Sequence, residues 1–175
     1  FTLPVLTALH LSGNGFTGTL PSSLPSSTSD STPQIQQTAP QSTTEEINPF
    51  LIDLTLSHNR LTGTVPLMFQ RKQWYNLDLS YNRLSGTLSA EFATQNISTK
   101  FLHDLSTLLR RNMSSDVFSD GAVSLENNRI SGRIPPVLQD KKHISVLGTN
   151  MFSCNSEATN LPPHDSGLDS YECGS

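Results

Sequence analysis

Cys154, His164 and Cys173 lie close together near the C-terminal end of the chain, where thiols and an imidazole could hold zinc. A structural zinc site needs four such ligands, and no fourth stands at a usual spacing. Two thiols left to themselves stay free in a reducing compartment or pair in an oxidising one. His103-Asp104 could relay a proton, but it falls on a stretch with helical spacing, where an exposed polar face explains it as well. The carboxylates Asp53, Asp78, Glu91, Asp104 and Glu126 are scattered, and no motif pairs them for acid–base work. There is no glycine-rich phosphate loop and no nucleophile motif. The chain is therefore read as a non-enzyme without a cofactor. Asn96-Ile97-Ser98 and Asn112-Met113-Ser114 fit the N-glycosylation acceptor, a different kind of chemistry that belongs to secreted surfaces.

The elements that carry these residues repeat. Asn14, Asn59, Asn82 and Asn128 share one frame: Leu or Val, any residue, Leu, two residues, Asn, any residue, an apolar residue, any residue, Gly. The copies begin at Leu6, Leu51, Trp74 and Asp120, and successive Asn residues are 45, 23 and 46 apart. One coil is thus about 23 residues long, and two coils are stretched by insertions. A unit of that length cannot bury its own apolar side, so the copies must stack into a solenoid. In LHL, LTL, LDL and VSL apolar and polar residues alternate, which predicts short strands with one face buried. Leu9, Leu54, Leu77 and Val123 form one predicted column. Phe16, Leu61, Leu84 and Ile130 form a second, with Leu24, Phe69, Phe92 and Leu138 behind them. The Asn carboxamide both donates and accepts, so an Asn column can satisfy backbone groups buried by the turn. Gly18, Gly63, Gly86 and Gly132 mark a second bend, and Pro21, Pro66 and Pro135 lead into the back of each coil.

This pattern resembles the leucine-rich repeat family in its plant-type class, LxxLxLxxNxLxGxIPxxL, over residues 6–24, 51–69, 74–92 and 120–138, with a weaker fifth copy towards residue 152. The resemblance implies an α/β-type repeat solenoid of four to five coils, with a short parallel concave sheet and an irregular or 3₁₀ back. It also implies a Cys154–Cys173 disulfide sealing a C-terminal cap at 154–175, after a solenoid spanning 1–153. The class occurs in receptor-like proteins and kinases, in polygalacturonase inhibitors and in algal and protist surface proteins. Several positions depart from the pattern. Trp74 and Asp120 replace the first Leu, Ser89 replaces a Pro, and Ile144 and Val146 fall out of phase with Leu147.

Composition agrees with an extracellular or cell-surface location, secreted or membrane-anchored. Charged residues make up 15% of the chain, against roughly 25% in an ordinary soluble domain. The net charge of −4 disfavours nucleic acid or an anionic membrane as partner. No run is apolar and long enough to insert in a bilayer, and any membrane anchor is expected outside this segment. The chain starts at Phe1, almost on a repeat, and is read as a piece of a longer protein. Residues 25–48 hold 17 Ser, Thr, Pro or Gln among 24, a composition expected to be mobile and open to O-glycosylation. Residues 93–119 contain both sequons and FLHDLSTLLRR, whose Phe101, Leu102, Leu105, Leu108 and Leu109 predict a short amphipathic helix in a loop. A degenerate extra coil is the competing reading, but no Asn or Gly stands where it would need them.

Function then reduces to surface. The predicted outward strand residues are His10, Thr55, Asp78 and Ser124, flanked by Ser12, Ser57, Ser80 and Glu126, then by Gly13, His58, Tyr81 and Asn127. Such a strip is either simply solvated or the place where a rigid scaffold binds protein, peptide or glycan. Tyr81, with Asp78 and His58, is its expected hot spot. The insertions and sequons are expected on the back. The competing functions are a structural wall glycoprotein, a secreted enzyme inhibitor and an ice-binding protein. The last would need a regular hydroxyl array, which Thr17/Thr19, Thr62/Thr64, Ser85/Thr87 and Ser131/Arg133 begin and Arg133 interrupts.

Overall fold

The computed structural model describes residues 6–22, 50–95 and 97–174. Five short strands, β1 (Ala8–His10), β3 (Asp53–Thr55), β5 (Asn76–Asp78), β7 (Ala122–Ser124) and β9 (Ile144–Ser145), pair in parallel in the order β1-β3-β5-β7-β9. Each coil adds one strand. Its second strand lies on another flank: β2 (Thr17–Thr19) pairs with β4 (Arg60–Thr62), and β6 (Ser85–Thr87) with β8 (Arg129–Gly132) and β10 (Met151–Phe152). A single bridge from Thr64 to Ser85 links the two small sheets. The backs of the second and fourth coils are short helices, α1 (Leu67–Arg71) and α4 (Pro136–Gln139), each preceded by the expected Pro.

Between the sheets runs one apolar stack. Leu54, Leu77, Val123 and Ile144 are register partners, 0–7% exposed. Leu61, Leu84, Ile130 and Phe152 form the second column, and Phe69, Phe92 and Leu138 close the back. The first coil departs from the expectation. Leu9 is only half-buried and Phe16 is 45% exposed, because among the described residues a neighbour covers that coil on one side only. Leu24 lies outside the described residues.

The Asn column is a hydrogen-bond ladder. The Oδ1 atoms of Asn59, Asn82, Asn128 and Asn150 accept from the N–H groups of Phe16, Leu61, Leu84 and Ile130 in the coil before, at 2.8–3.0 Å. Their Nδ2 groups donate to Leu11, Leu56, Leu79 and Leu125 carbonyls of that same coil. A second ladder runs through the glycine bends. Thr62, Ser85, Ser131 and Ser153 hydroxyls donate to the Gly18, Gly63, Gly86 and Gly132 carbonyls. The bends at Gly63, Gly86 and Gly132 have φ of 78–83°, and a Cβ there would come within 2.8–3.0 Å of the Thr19, Thr64 or Thr87 methyl of the preceding coil. Glycine is needed for both reasons.

Two departures from the repeat have local causes. Ser89, where other copies have Pro, donates its N–H to Gln70 Oε1 at 2.6 Å, a bond Pro could not make. Trp74, in place of Leu, is 3% exposed, stacks on Phe69 and donates Nε1–H to the Phe69 carbonyl.

The weak fifth copy is a complete coil with one extra residue. Ile144 pairs with Val123 and Asn150 takes the ladder position, six residues apart where the coil before has five. Val146 and Leu147 therefore both turn inward, each 0% exposed. In inner coils the N–H after the strand donates to the next strand's carbonyl, as Leu56 does to Asp78 and Leu79 to Ser124. Here the buried carboxylate of Asp165 accepts instead, from Val146 and Leu147 at 2.6 and 3.1 Å. The Tyr171 hydroxyl likewise stands where a further ladder Asn would be: it accepts from Phe152 N–H and donates towards the Asn150 and Phe152 carbonyls. Cys154 and Cys173 are joined, with Cα atoms 5.6 Å apart, and hold this capping segment on the last coil.

β5 pairs directly with β7, so the chain between the third and fourth coils loops out. It forms α2 (Thr99–Leu109) and α3 (Asp116–Ser119). Ser98 caps α2 by accepting from Phe101 N–H, and Arg110 ends it in a left-handed conformation. Leu105, Met113 and Phe118 bury against Ile52, with Phe50, Phe101, Leu102 and Leu109 around them, in a second small core. Leu108 points outward, 42% exposed. Lys141 ties α3 to the next coil by donating to the Ser119 and Gly121 carbonyls, and burial lowers its pKa against the opposing effect of Asp120.

Candidate binding surface

Alternation along the strands puts two rows on the outer face of the long sheet. One is His10, Thr55, Asp78, Ser124 and Ser145; the other is Ala8, Asp53, Asn76 and Ala122. The first row was expected as far as Ser124, and Ser145 of the fifth coil extends it. The second was missed, although the same period of two places it two residues earlier. The rows are bonded to each other: Asp53 pairs with His10 at 3.0 Å through one oxygen and accepts from Asn76 at 2.9 Å through the other. Thr55, Asp78 and Ser124 are half-buried.

Beyond the strands the chain turns inward through a column of left-handed residues: Gly13, His58, Tyr81 and Asn127, with φ of 53–72°. Each of the first three is held by its N–H, which donates to the next coil at Ser57, Ser80 or Glu126. The turn brings His58 and Tyr81 face to face, with ring centroids 4.2 Å apart and planes 10° from parallel. Tyr81 is 44% exposed. For a non-glycine residue this conformation costs of order 1–3 kcal/mol, and it is rarer for Tyr than for His or Asn. Gly13 shows that the turn itself needs no side chain.

Other expected members of the strip have inward duties. Ser57 and Ser80 are 5% and 4% exposed; Ser57 donates to Ser12 Oγ, and Ser80 donates to Asp78 Oδ1 at 2.6 Å. Asp78 therefore shapes its own turn and does not join the His58–Tyr81 pair by any bond described. Glu126 accepts from Ser145 Oγ at 2.7 Å. Asn127 packs over Gly148, so both residues serve the contact with the fifth coil.

The helical insertion is not confined to the back, as expected, but reaches the entry end of the strands. Leu109, Arg111 and Met113 line a small cleft with Ala8, Ile52, Asp53 and Tyr75, and the Arg111 guanidinium stands 5.9 Å over the Tyr75 ring. The insertion follows the strand of its own coil by some twenty residues, so strand alternation alone carried no signal for this contact. A larger cleft, about 660 Å³, opens on the opposite flank between Leu88, Arg133, Pro136, Gln139 and Asn160. Asn112 is exposed in the insertion; Asn96 lies outside the described residues.

No group of three or more His, Cys, Asp or Glu among the described residues stands together to hold a metal. No helix among them is long and apolar enough to cross a membrane.

The Leucine Rich Repeat family profile matches residues 5–27, 50–71 and 74–94. No curated protein matches the chain. Among solved structures it is similar to the BIR2 ectodomain from Arabidopsis thaliana, with 25% identity and a TM-score of 0.50 over 90% of this chain and 58% of that one. Two others resemble it less. One is PEPR1 in its complex with AtPEP1: 21% identity, TM-score 0.47, over 87% of this chain and 16% of that one. The other is a plant ice-binding protein: 17% identity, TM-score 0.47, over 91% and 46%. The chain thus spans little more than half the length of the BIR2 ectodomain it matches. Repeat frame, Asn ladder, disulfide-held cap, the matched profile and the likeness to the BIR2 ectodomain agree on the fold: a solenoid of leucine-rich repeats that resemble the plant-type class.

Proposed function

We propose that this chain is a recognition module of an extracellular or cell-surface protein, and that it binds a protein or peptide along the outer face of its long sheet. The observation that carries this reading is the exposed Tyr81 ring, stacked on His58 at a turn where glycine would be less strained. Unlike Asn127 at the same turn position, the Tyr81 ring is exposed and has no inward packing among the described residues to offset that strain, and Tyr supplies binding area at low entropy cost. His10, Thr55, Asp78, Ser124, Glu126 and Asn127 would frame it, and the His10–Asp53–Asn76 cluster would present fixed donors and acceptors beside it. The Cys154–Cys173 bond and the exposed Asn112 acceptor support an oxidising, glycosylating compartment. The likeness to an ectodomain points the same way. The hydroxyl array on the second flank is read as scaffold, since its Thr62, Ser85 and Ser131 members donate to glycine carbonyls of the coil before.

Binders selected from a random peptide display library provide the test. Tyr81→Ala is expected to weaken them at least fivefold, about 1 kcal/mol, with no fall in melting temperature. Replacing residues 25–48 by a short Gly-Ser link should leave their affinity intact. Loss of binding with the link, and none with Tyr81→Ala, would move recognition to the insertion and leave the solenoid as its carrier.

A further inference from the structure

We infer that the cleft between the helical insertion and the first two strands is an anchor subsite, one that takes a single aliphatic side chain of a peptide whose next residue is acidic. The inference rests on reading the strand face as the binding surface, because the cleft opens onto the outer row at Ala8 and Asp53. Its volume is about 150 Å³, well short of the roughly 300–1,000 Å³ that houses a whole small ligand. The size suits one side chain. Ile52, Leu109, Met113 and Ala8 supply an apolar lining from both walls.

The insertion wall is held in place by the end of its helix. Arg110 is left-handed, Arg111 N–H donates to the Ser106 carbonyl, and Met113 N–H donates to Ser106 Oγ at 3.0 Å. Arg111 and Met113 are therefore presented by a capped turn, in a geometry that binding need not create.

Charge selects the neighbour of the anchor. The carboxylate of Asp53 has both oxygens engaged, by His10 and Asn76. Arg111, exposed and lying over Tyr75, has no carboxylate partner among the described residues, and exposed Arg110 adds a second positive charge. A ligand carboxylate beside the anchor would meet Arg111, and an Arg–carboxylate contact at a partly desolvated rim discriminates against a basic residue there.

Methyl-labelled methionine reports on this directly, because Met113 lines the cleft and Met68 and Met151 do not. Titration with acetyl-Leu-Glu-amide should shift the Met113 methyl resonance saturably below about 10 mM, the weak range proper to so small a ligand, with Met68 and Met151 unmoved. Acetyl-Gly-Glu-amide should bind at least tenfold more weakly, and acetyl-Leu-Lys-amide at least threefold. Ala8→Trp, at an exposed strand position that tolerates a large ring, should abolish the shift, and Arg111→Glu should invert the Glu/Lys preference. An unmoved Met113 at that concentration, equal binding of the Leu and Gly peptides, or a shift that survives Ala8→Trp would overturn the subsite. Tyr81→Ala should leave this titration unchanged. Failure of the cleft with Tyr81 still needed for selected binders would therefore remove the subsite and keep the strand-face reading.

Discussion

The first and last of the described coils differ in what covers their outer side. In the first coil Phe16 is 45% exposed, Leu9 is half-buried and the Asn14 carboxamide reaches, among the described residues, its own Ser12 carbonyl alone. In the fifth, Phe152 and Leu147 are fully buried, and the Val146, Leu147 and Phe152 N–H groups that a sixth coil would serve have substitutes. Asp165 replaces a strand carbonyl, Tyr171 replaces a ladder Asn, and the disulfide holds both in place. Among the described residues, then, a capping segment closes over the last coil and none over the first. A repeat position is only as buried, and only as energetically important, as the neighbour that closes over it.

The sharpest way to break that contrast is to remove the same residue at two depths. Asn82→Ala leaves the buried Leu61 N–H without its acceptor and takes one of two donors from the Leu56 and Leu79 carbonyls, which keep Asn59 and Asn128, and should cost about 3 kcal/mol. Asn14→Ala should cost no more than about 0.5 kcal/mol in denaturant melts. Equal losses would mean that the ladder's energy is local to each turn and owes nothing to stacking.

Opening the Cys154–Cys173 link comes next. By loop-closure entropy the linked segment contributes about 3 kcal/mol, and urea midpoints with and without reductant measure it. If the cap is what distinguishes the two ends, hydrogen exchange after reduction should rise first at Val146, Leu147 and Phe152 and only later at Leu61.

A smaller effect is expected from Asp165→Asn, which keeps the shape and loses the charge. The bonds to Val146 and Leu147 N–H are charge-assisted, and about 2 kcal/mol should be lost by thermal melting. No loss would mean that the cap seals by packing alone.

The smallest change is Tyr171→Phe, worth about 1 kcal/mol near neutral pH. Burial raises the Tyr171 pKa, the hydrogen bond from Phe152 opposes that and the Asp165 charge adds to it. A raised value means the folded state keeps this proton longer than the unfolded one, so the stability it supplies is complete below about pH 10 and falls as pH rises past that point. Lys141, lowered by burial, works in the opposite sense over the alkaline range. The difference between wild type and Tyr171→Phe isolates the tyrosine, and it should shrink as pH rises above 10.

Much of the architecture was legible because the repeat writes one physical constraint several times over. Asn59, Asn82 and Asn128 could be read as ladder residues from their spacing, and Gly63, Gly86 and Gly132 as bends. Asn150 was harder. Its coil carries one extra residue, and a fixed period breaks on a single insertion even though the hydrogen bonds re-form around it. The recognition strip was half legible. Period-two alternation located His10, Thr55, Asp78 and Ser124, but it could not tell that Ser57 and Ser80 turn inward or that His58 and Tyr81 meet ring to ring.

The order of strands, the ladder positions of Asn59, Asn82 and Asn128 and the helical character of a stretch within residues 93–119 follow from the amino-acid sequence alone, because each depends on local periodicity, whereas the cysteine pairing was what the family resemblance implied. Three things were decided only by the tertiary structure: the exposure of Phe16, the roles of Asp165 and Tyr171 as stand-ins for a further coil, and the approach of Arg111 and Met113 to Ala8 and Asp53. Each depends on which surface closes over which, and residues about a hundred positions apart, such as Ala8 and Arg111, become neighbours only once the coils between them have stacked.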